Sequence, residues 1–500
     1  MTWSNILTYQ TKIKKKHNLD LLAGYEINSK ESDGLGTTIS NFARWDKPEV
    51  NNGVVYQSMG GSNSTTRIVS YITRANYDYD NKYYLGASWR TDGSSRLARE
   101  NRWGNFWSLS GAWRVSSESF MKPLQNWLSD LKLRVSYGVN GTLPSSYYGY
   151  MGLSSLTSNY NDNPGITQSQ LENKELTWET NYNFNSGIDL GFFDNRLNVT
   201  FEYYVRTTKN LLYSRPLSLA TGFSSYLANI GKLQNKGYEL EIRSTNIETK
   251  DFRWSTSLNL GHNANKILKL DGDLKQVTSG TSIHKVGLPY STYYMIEFAG
   301  IDPVDGEPMF YKNTTDENGN LNKETTKDPR SAEKVILQCA DPTITGGLGN
   351  SISYKWFDLN FNVNFSFGAW NYDGAAGKLE HGGDGTLNIP IYYRKRWQKE
   401  GDETSIERFV VGRSISMTDY ATTRRLYSGD YVRLKNLTFG FTLPKTWTRK
   451  VGIDNIRLYA SGNNLLTWAA YDYIDPESGS SPSWDTPPMR TYTFGLEVKF

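Results

Sequence analysis

The sequence predicts an all-β protein: an antiparallel up-and-down transmembrane β-barrel, of which this chain holds roughly 15 strands. Three observations carry that expectation. Apolar and polar residues alternate over long stretches, short and long connections alternate along the chain, and aromatic content is high while hydropathy is low. Among 500 residues there are 34 Tyr and 15 Trp, yet the mean hydropathy is −0.59. The longest apolar run is four residues, Tyr293 to Ile296, far short of the about 20 a spanning helix needs. Lys and Arg number 55 against 51 Asp and Glu, a net charge of +4 that gives no electrostatic case for nucleic acid. The single cysteine, Cys339, and four scattered histidines at 17, 262, 284 and 381 exclude an internal disulfide framework and a Cys/His metal site. No cofactor is expected.

Taken in order, the alternation template places strands at 3–13 and 16–28 on either side of Lys14-Lys15-Lys16, and at 65–79 and 82–92 around Asp80-Asn81. A strand at 104–115 is followed by one at 130–140, where Leu131, Leu133, Val135 and Tyr137 alternate with Lys132, Arg134, Ser136 and Gly138. Strands at 175–190 and 195–208 flank Asp194-Asn195; in the second, Leu197, Val199, Phe201, Tyr203 and Val205 lie on one face. Strands at 234–247 and 251–262 are joined through Glu248 to Lys250, and 343–355 and 356–369 through Lys355-Trp356. The clearest run has Phe357, Leu359, Phe361, Val363, Phe365 and Phe367 on one face, because successive strand side chains point to opposite sides. The strand at 429–443 slips phase (Val432 and Leu434, then Leu437, Phe439 and Phe441), which a bulge explains. Strands at 453–465 and 489–500 complete the set.

The long connections are 29–64, 141–174, 209–233, 263–342, 370–428 and 466–488, with 93–103 and 116–129 intermediate. Short and long alternate, so one end of the sheet carries tight turns and the other large loops. That asymmetry belongs to outer-membrane barrels, with short periplasmic turns and longer extracellular loops. The parity closes when 263–342 is one excursion, within which a hairpin around Tyr293 to Tyr311 fits.

The apolar row of 357–367 then faces lipid, and Asp358, Asn360, Asn362 and Asn364 form a lumen-facing polar row. Aromatics in the long loops, Tyr147, Tyr148, Tyr150, Tyr160, Trp370, Tyr471 and Trp484, are candidates for stacking on a ring-bearing substrate; the plainer reading of each is loop packing or an interface belt. No catalytic constellation is present: Asp92, Glu118 and Glu380 read as loop or lumen polar groups. The acidic stretches 302–307 and 316–320 lack EF-hand spacing and read as turns rather than calcium loops. The Gly-Gly pairs at 60–61, 346–347 and 382–383 precede no helix that would cradle phosphate. Lys14, Lys15 and Lys16 read as a solvated turn in preference to a membrane-surface element.

The last residues alternate Tyr492, Phe494, Leu496, Val498 and Phe500 with polar neighbours. A terminal strand ending on Phe resembles the closing strand of outer-membrane barrels, where it is part of the signal read by the barrel-assembly machinery.

Several segments go further: FWSLSGAWRVSSESFM at 106–121, LKLRVSYGVNG at 131–141, LTWETNYNFNSGIDLGFFDNRLNVTFEYYVRTTKNLL at 176–212, NIGKLQNKGYELEI at 229–242, YVRLKNLTFGFTLP at 431–444, IRLYASGNNLLTW at 456–468 and YTFGLEVKF at 492–500. Together they resemble the SusC/RagA-like TonB-dependent outer-membrane transporters. The resemblance implies active import of large nutrients, oligosaccharides or oligopeptides, across the outer membrane of a bacterium. It also implies a SusD-like surface lipoprotein lid, and coupling to TonB–ExbB–ExbD through a plug and TonB-box. No bond in the substrate is broken. This chain enters strand pattern at once, without signal peptide, TonB-box or plug, and its roughly 15 strands compare with about 22 in plugged transporters. It therefore reads, over 1–500, as the C-terminal part of a receptor barrel domain. An open sheet edge in lipid is prohibitively costly, so either a separate N-terminal partner supplies the remaining strands or the chain is not functional. A passive porin-like channel and a soluble all-β glycan-binding protein are the competing expectations.

Overall fold

A computed structural model describes residues 1–500 apart from 162, 271–273, 318, 384–387, 413–419 and 479–487. Fifteen strands form one sheet in chain order. They are β1 (Thr2–Ile13), β2 (His17–Phe42), β3 (Gly53–Tyr79), β4 (Tyr83–Ser94), β5 (Trp103–Arg114), β6 (Leu128–Thr142), β7 (Glu179–Phe192), β8 (Leu197–Lys209), β9 (Lys232–Glu248), β10 (Phe252–Lys269), β11 (Ile344–Tyr354), β12 (Phe357–Phe367), β13 (Tyr431–Thr442), β14 (Asn455–Ala469) and β15 (Thr491–Lys499). Each expected strand is present, and short and long connections alternate along them. No helix among the described residues is long and apolar enough to cross a membrane. Two compact units divide the chain: Met1–Glu118, Leu133–Ser186 and Arg206–Leu233 in one, Ser119–Lys132, Gly187–Val205 and Gln234–Phe500 in the other.

In the first unit the tight turns take the backbone that hairpins require. Lys14 and Lys15 have φ of 49° and 60°, and Asp80 and Asn81 both 54°; such left-handed pairs match the twist of the strands they join. The stretch 29–64 differs from its expected loop. β2 and β3 stay paired from His17↔Tyr79 out to Phe42↔Gly53, with a bulge between Thr38 and Ile39. Glycines at 34, 36, 60 and 61 interrupt the apolar alternation there, so strand pairing leaves no period-two hydrophobic trace. Loop side chains Leu97, Leu176 and Trp178 form a small core with Phe106 of β5.

Two aromatic rows cross the first unit. Trp3 meets Tyr25 at 5.9 Å, Tyr25 meets Tyr71 at 5.1 Å, and Tyr71 meets Trp103 at 6.2 Å. Beside the tight turns, His17 meets Tyr79 at 5.0 Å, Tyr79 meets Tyr83 at 6.4 Å, and Tyr83 meets Trp113 at 6.4 Å. Tyr71 and Tyr79 are eight residues apart on β3, about 26 Å at the usual strand rise. Strand tilt reduces that to about 20 Å of height, close to the apolar band of an outer-membrane barrel with its aromatic girdles. Between the rows Leu7, Tyr9, Leu21, Leu85 and Leu109 are exposed, the opposite of what an aqueous surface favours.

In the second unit β12 pairs in strict register with β11, from Ile344↔Phe367 to Tyr354↔Phe357. The phase slip of β13 is a bulge: Val363 faces Leu434 while Asn362 faces Asn436, and Lys435 is unpaired between them. The excursion between β10 and β11 folds on itself, with Gln276–Ser279 pairing Ser282–Lys285, and Thr292–Ile296 pairing Lys334–Cys339. The hairpin expected near Tyr293 to Tyr311 is formed by Phe298–Ile301 and Pro308–Tyr311.

Candidate functional site

Strand alternation collects polar groups on one face. In the first unit they line a cleft of about 750 Å³ that includes Gln10, Lys12, Asp20, Asn76, Asp78 and Arg134. In the second unit Asn360 and Asn362 line a cleft of about 330 Å³ together with Arg196, Arg243 and Asn350. Asn364 lines another of about 630 Å³ with Glu202, Glu239 and Glu241. Asp358 is bound by the Arg457 guanidinium at 2.7 Å. The four residues of the expected polar row thus face water-sized space or a partner charge.

The loop between β12 and β13 builds a rigid platform. Asp373 caps the short helix Gly374–Leu379, its carboxylate accepting from the Ala376 N–H at 2.8 Å. The Tyr471 hydroxyl donates to the other oxygen of Asp373 at 3.1 Å, and the Tyr471 ring stacks on Tyr427 at 3.8 Å and 11°. Tyr473 packs against Tyr471 at 5.3 Å and Tyr392 at 5.4 Å. Behind them Tyr392 donates to Glu380 at 2.5 Å and Tyr393 to Glu407 at 2.9 Å. Arg424 pairs with Glu407, and Arg425 with Glu380 at 3.3 Å. Burial, reinforced by Glu407, pushes the Tyr393 phenol upward, and burial with the neighbouring Tyr427 and Asp373 does the same to Tyr471. Both rings therefore stay neutral hydrogen-bond donors. The loop after β14, which supplies Tyr471 and Tyr473, is also held to the wall: Arg433, almost fully buried, reaches Asp475 at 2.6 Å and Glu477 at 2.8 Å.

The candidate aromatics divide. Tyr471 and Trp370 enter this assembly; Asn371 and Tyr372 beside Trp370 pair with Tyr427 and Leu426, and the Trp370 carbonyl accepts from the Tyr293 hydroxyl at 3.1 Å. In the first unit, Tyr147 lies under Arg96 at 4.3 Å, the Tyr148 oxygen accepts the Thr65 N–H at 2.9 Å, and Tyr150 packs on the Leu97 cluster. Tyr160 ends an exposed hairpin strand, Leu153–Tyr160. Trp484 lies outside the described residues. Tyr492, Phe494, Leu496 and Val498 alternate along β15, with Phe500 just beyond it.

Sequence reasoning missed Asp373, Glu407, Arg424, Arg425 and Arg433, and took Glu380 only as a loop or lumen polar group. The adjacent arginines 424–425 immediately before a strand were the available trace. Asp92 and Glu118 also have partners: Asp92 pairs with Arg90 at 2.7 Å, and Glu118 accepts from Tyr83 at 2.5 Å and Trp113 at 3.3 Å. At 302–307 the Lys327 ammonium lies 2.6 Å from Asp302 and 2.7 Å from Asp305. A built-in cation thus occupies the acidic turn. Among the described residues no cluster of metal-ligating side chains is found.

Long alternating strands, aromatic rows and alternating short and long connections define an outer-membrane β-barrel protein. A family model described as "TonB dependent receptor-like, beta-barrel" matches residues 2–465, and the chain belongs to that family, of the SusC and RagA type. It is 34% identical to a TonB-dependent receptor of Formosa agariphila over 99% of this chain and 52% of that protein. It is 30% identical to the TonB-dependent receptor SusC of Bacteroides thetaiotaomicron, over 87% of this chain and 44% of SusC. The solved RagAB peptide transporter superposes with a TM-score of 0.85 at 29% identity, covering 100% of this chain and 55% of that one. The chain spans about half the length of the curated relatives it matches.

Proposed function

We propose that this chain is the barrel portion of a TonB-dependent importer of large nutrients, with oligosaccharides as its first substrate class. The polar face hydrates the conduit and meets a plug, the platform around Tyr471 forms part of the substrate vestibule, and a surface lipoprotein lid closes above it. Energy comes from TonB–ExbB–ExbD, and the terminal row Tyr492 to Phe500 serves as the barrel-assembly signal. The observation that carries the reading is likeness to SusC- and RagA-type receptors along nearly the whole chain. The exposed Tyr473 ring beside half-buried Tyr471 and Tyr392 suits a sugar ring, which presents both an apolar face and hydroxyls. The similarity to RagAB, a peptide transporter, favours oligopeptides as the second reading.

The test is uptake of fluorescent oligosaccharides and oligopeptides by the native bacterium and by a strain deleted for this gene, with and without a protonophore. Loss of oligosaccharide uptake on deletion, and its abolition by the protonophore, is expected. Selective loss of peptide uptake transfers the assignment to peptides; uptake indifferent to the protonophore overturns active import.

A further inference from the structure

The first tight turn contradicts its own backbone. A two-residue hairpin turn with both φ positive favours Asn, Asp and Gly, since a side chain of any other kind crowds the following carbonyl. The turn between β3 and β4 obeys this with Asp80 and Asn81; the one between β7 and β8 has Asp194 and Asn195 at positive φ but also Phe193, and the one between β11 and β12 has Lys355 there. Between β1 and β2 the same backbone is occupied by Lys14 and Lys15, at φ of 49° and 60°. Both are exposed, and neither has an ion-pair partner among the described residues. Lys16 is paired with Asp80 at 3.3 Å and Lys82 with Glu118 at 3.4 Å, so the acidic groups of this rim are already engaged. The two free ammonium groups stand immediately beyond the row His17, Tyr79, Tyr83 and Trp113. That row marks a boundary between apolar and polar zones.

From this juxtaposition we propose that Lys14 and Lys15 form a headgroup site for anionic glycerophospholipid in the periplasmic leaflet. The lysines bind the lipid phosphate while the aromatic row receives the upper acyl chain. The site rests on the outer-membrane location and on no assumption about the transported substrate, so it stands or falls apart from the import reading.

The experiment uses the protein purified from its native outer membrane and placed in nanodiscs of equal phosphatidylglycerol and phosphatidylethanolamine. Lipids retained on the protein are then counted by native mass spectrometry after release into detergent. The wild type is expected to retain phosphatidylglycerol preferentially at low salt and to lose the preference at high salt. Lys14→Asn with Lys15→Gly is expected to reduce that retention about tenfold to thirtyfold, since each juxtamembrane lysine contributes about fivefold. The same variant is expected to fold with equal or greater heat resistance, because Asn-Gly suits the turn. Lys14→Arg with Lys15→Arg is expected to keep the lipid. Equal retention of the two lipids by the wild type, or undiminished retention by the Asn-Gly variant, overturns the site. The wild-type salt dependence decides the matter even if a variant does not assemble.

Discussion

The Arg433 guanidinium donates to Asp475 at 2.6 Å and to Glu477 at 2.8 Å, anchoring the loop after β14 to the wall at β13. Arg433 is 2% exposed, so its charge is compensated within the protein or not at all. Arg433→Met is expected to free the 475–478 turn and leave Asp475 without its counter-ion, Glu477 keeping Lys435, at a cost of about 3 kcal/mol. Hydrogen exchange should accelerate at 475–478 while β12 and β13 keep their protection. Arg433→Lys should recover only part of the protection, because an ammonium lacks the planar fork.

Glu407 is fully buried, with Arg424 and the Tyr393 hydroxyl as partners. Glu407→Gln keeps the shape but strands the Arg424 charge, and is expected to cost about 3–5 kcal/mol of platform stability. Limited proteolysis within 391–410 reads this out. Cleavage at the wild-type rate would mean that Glu380 alone compensates Arg424.

Tyr471 offers two separable changes. Tyr471→Phe removes the bond to Asp373 and should loosen the platform by about 1.5–3 kcal/mol, as for a hydrogen bond to a charged group. Tyr471→Ala also removes the stack on Tyr427. Under the import reading, the alanine variant is expected to slow uptake several-fold more than the phenylalanine variant. Equal effects would place the contribution in the hydrogen bond alone.

The Lys327 ammonium between Asp302 and Asp305 holds both carboxyls below the usual range, and they in turn raise the lysine. The depressed carboxyl pKa values contribute order that is complete above their unfolded value of about 3.9, and lost as pH falls through the folded values. The raised lysine contributes order present below about 10.4, and lost as pH rises through its folded value. Protection of the Asp302–Glu307 amides, taken relative to the intrinsic exchange rate at each pH, is therefore expected to be greatest between about pH 5 and 9 and to fall at either extreme. Lys327→Met should abolish the alkaline limb.

The wall was legible in the sequence because a strand with lipid on one face and water on the other writes its geometry as period-two alternation. β12 and the slipped β13 appear in the residue order almost as they do in space. The outer hairpin of β2 and β3 was not legible: both of its faces are exposed around Gly34, Gly36, Gly60 and Gly61, and no asymmetry of environment imposes a pattern. The loop platform was hidden for a different reason. Glu380 and Arg425 are 45 positions apart, and Asp373 and Tyr471 are 98 apart. Charge pairing at such separations leaves no local spacing to read. Tyr147, Tyr148 and Tyr150 show the converse, since identical residue types served a cation contact, a backbone cap and a small core.

The unpaired Lys435 bears on how such walls change length. Deleting it would leave Arg433 and Asn436 on one side of β13, with Leu434 and Leu437 on the other, in unbroken alternation. Losing one residue elsewhere in that strand would exchange the oily and wet sides of everything downstream. A barrel strand thus has a reading frame of two, and this bulge absorbs one extra residue without losing it, while the extra Lys435 binds Glu477 at 2.6 Å.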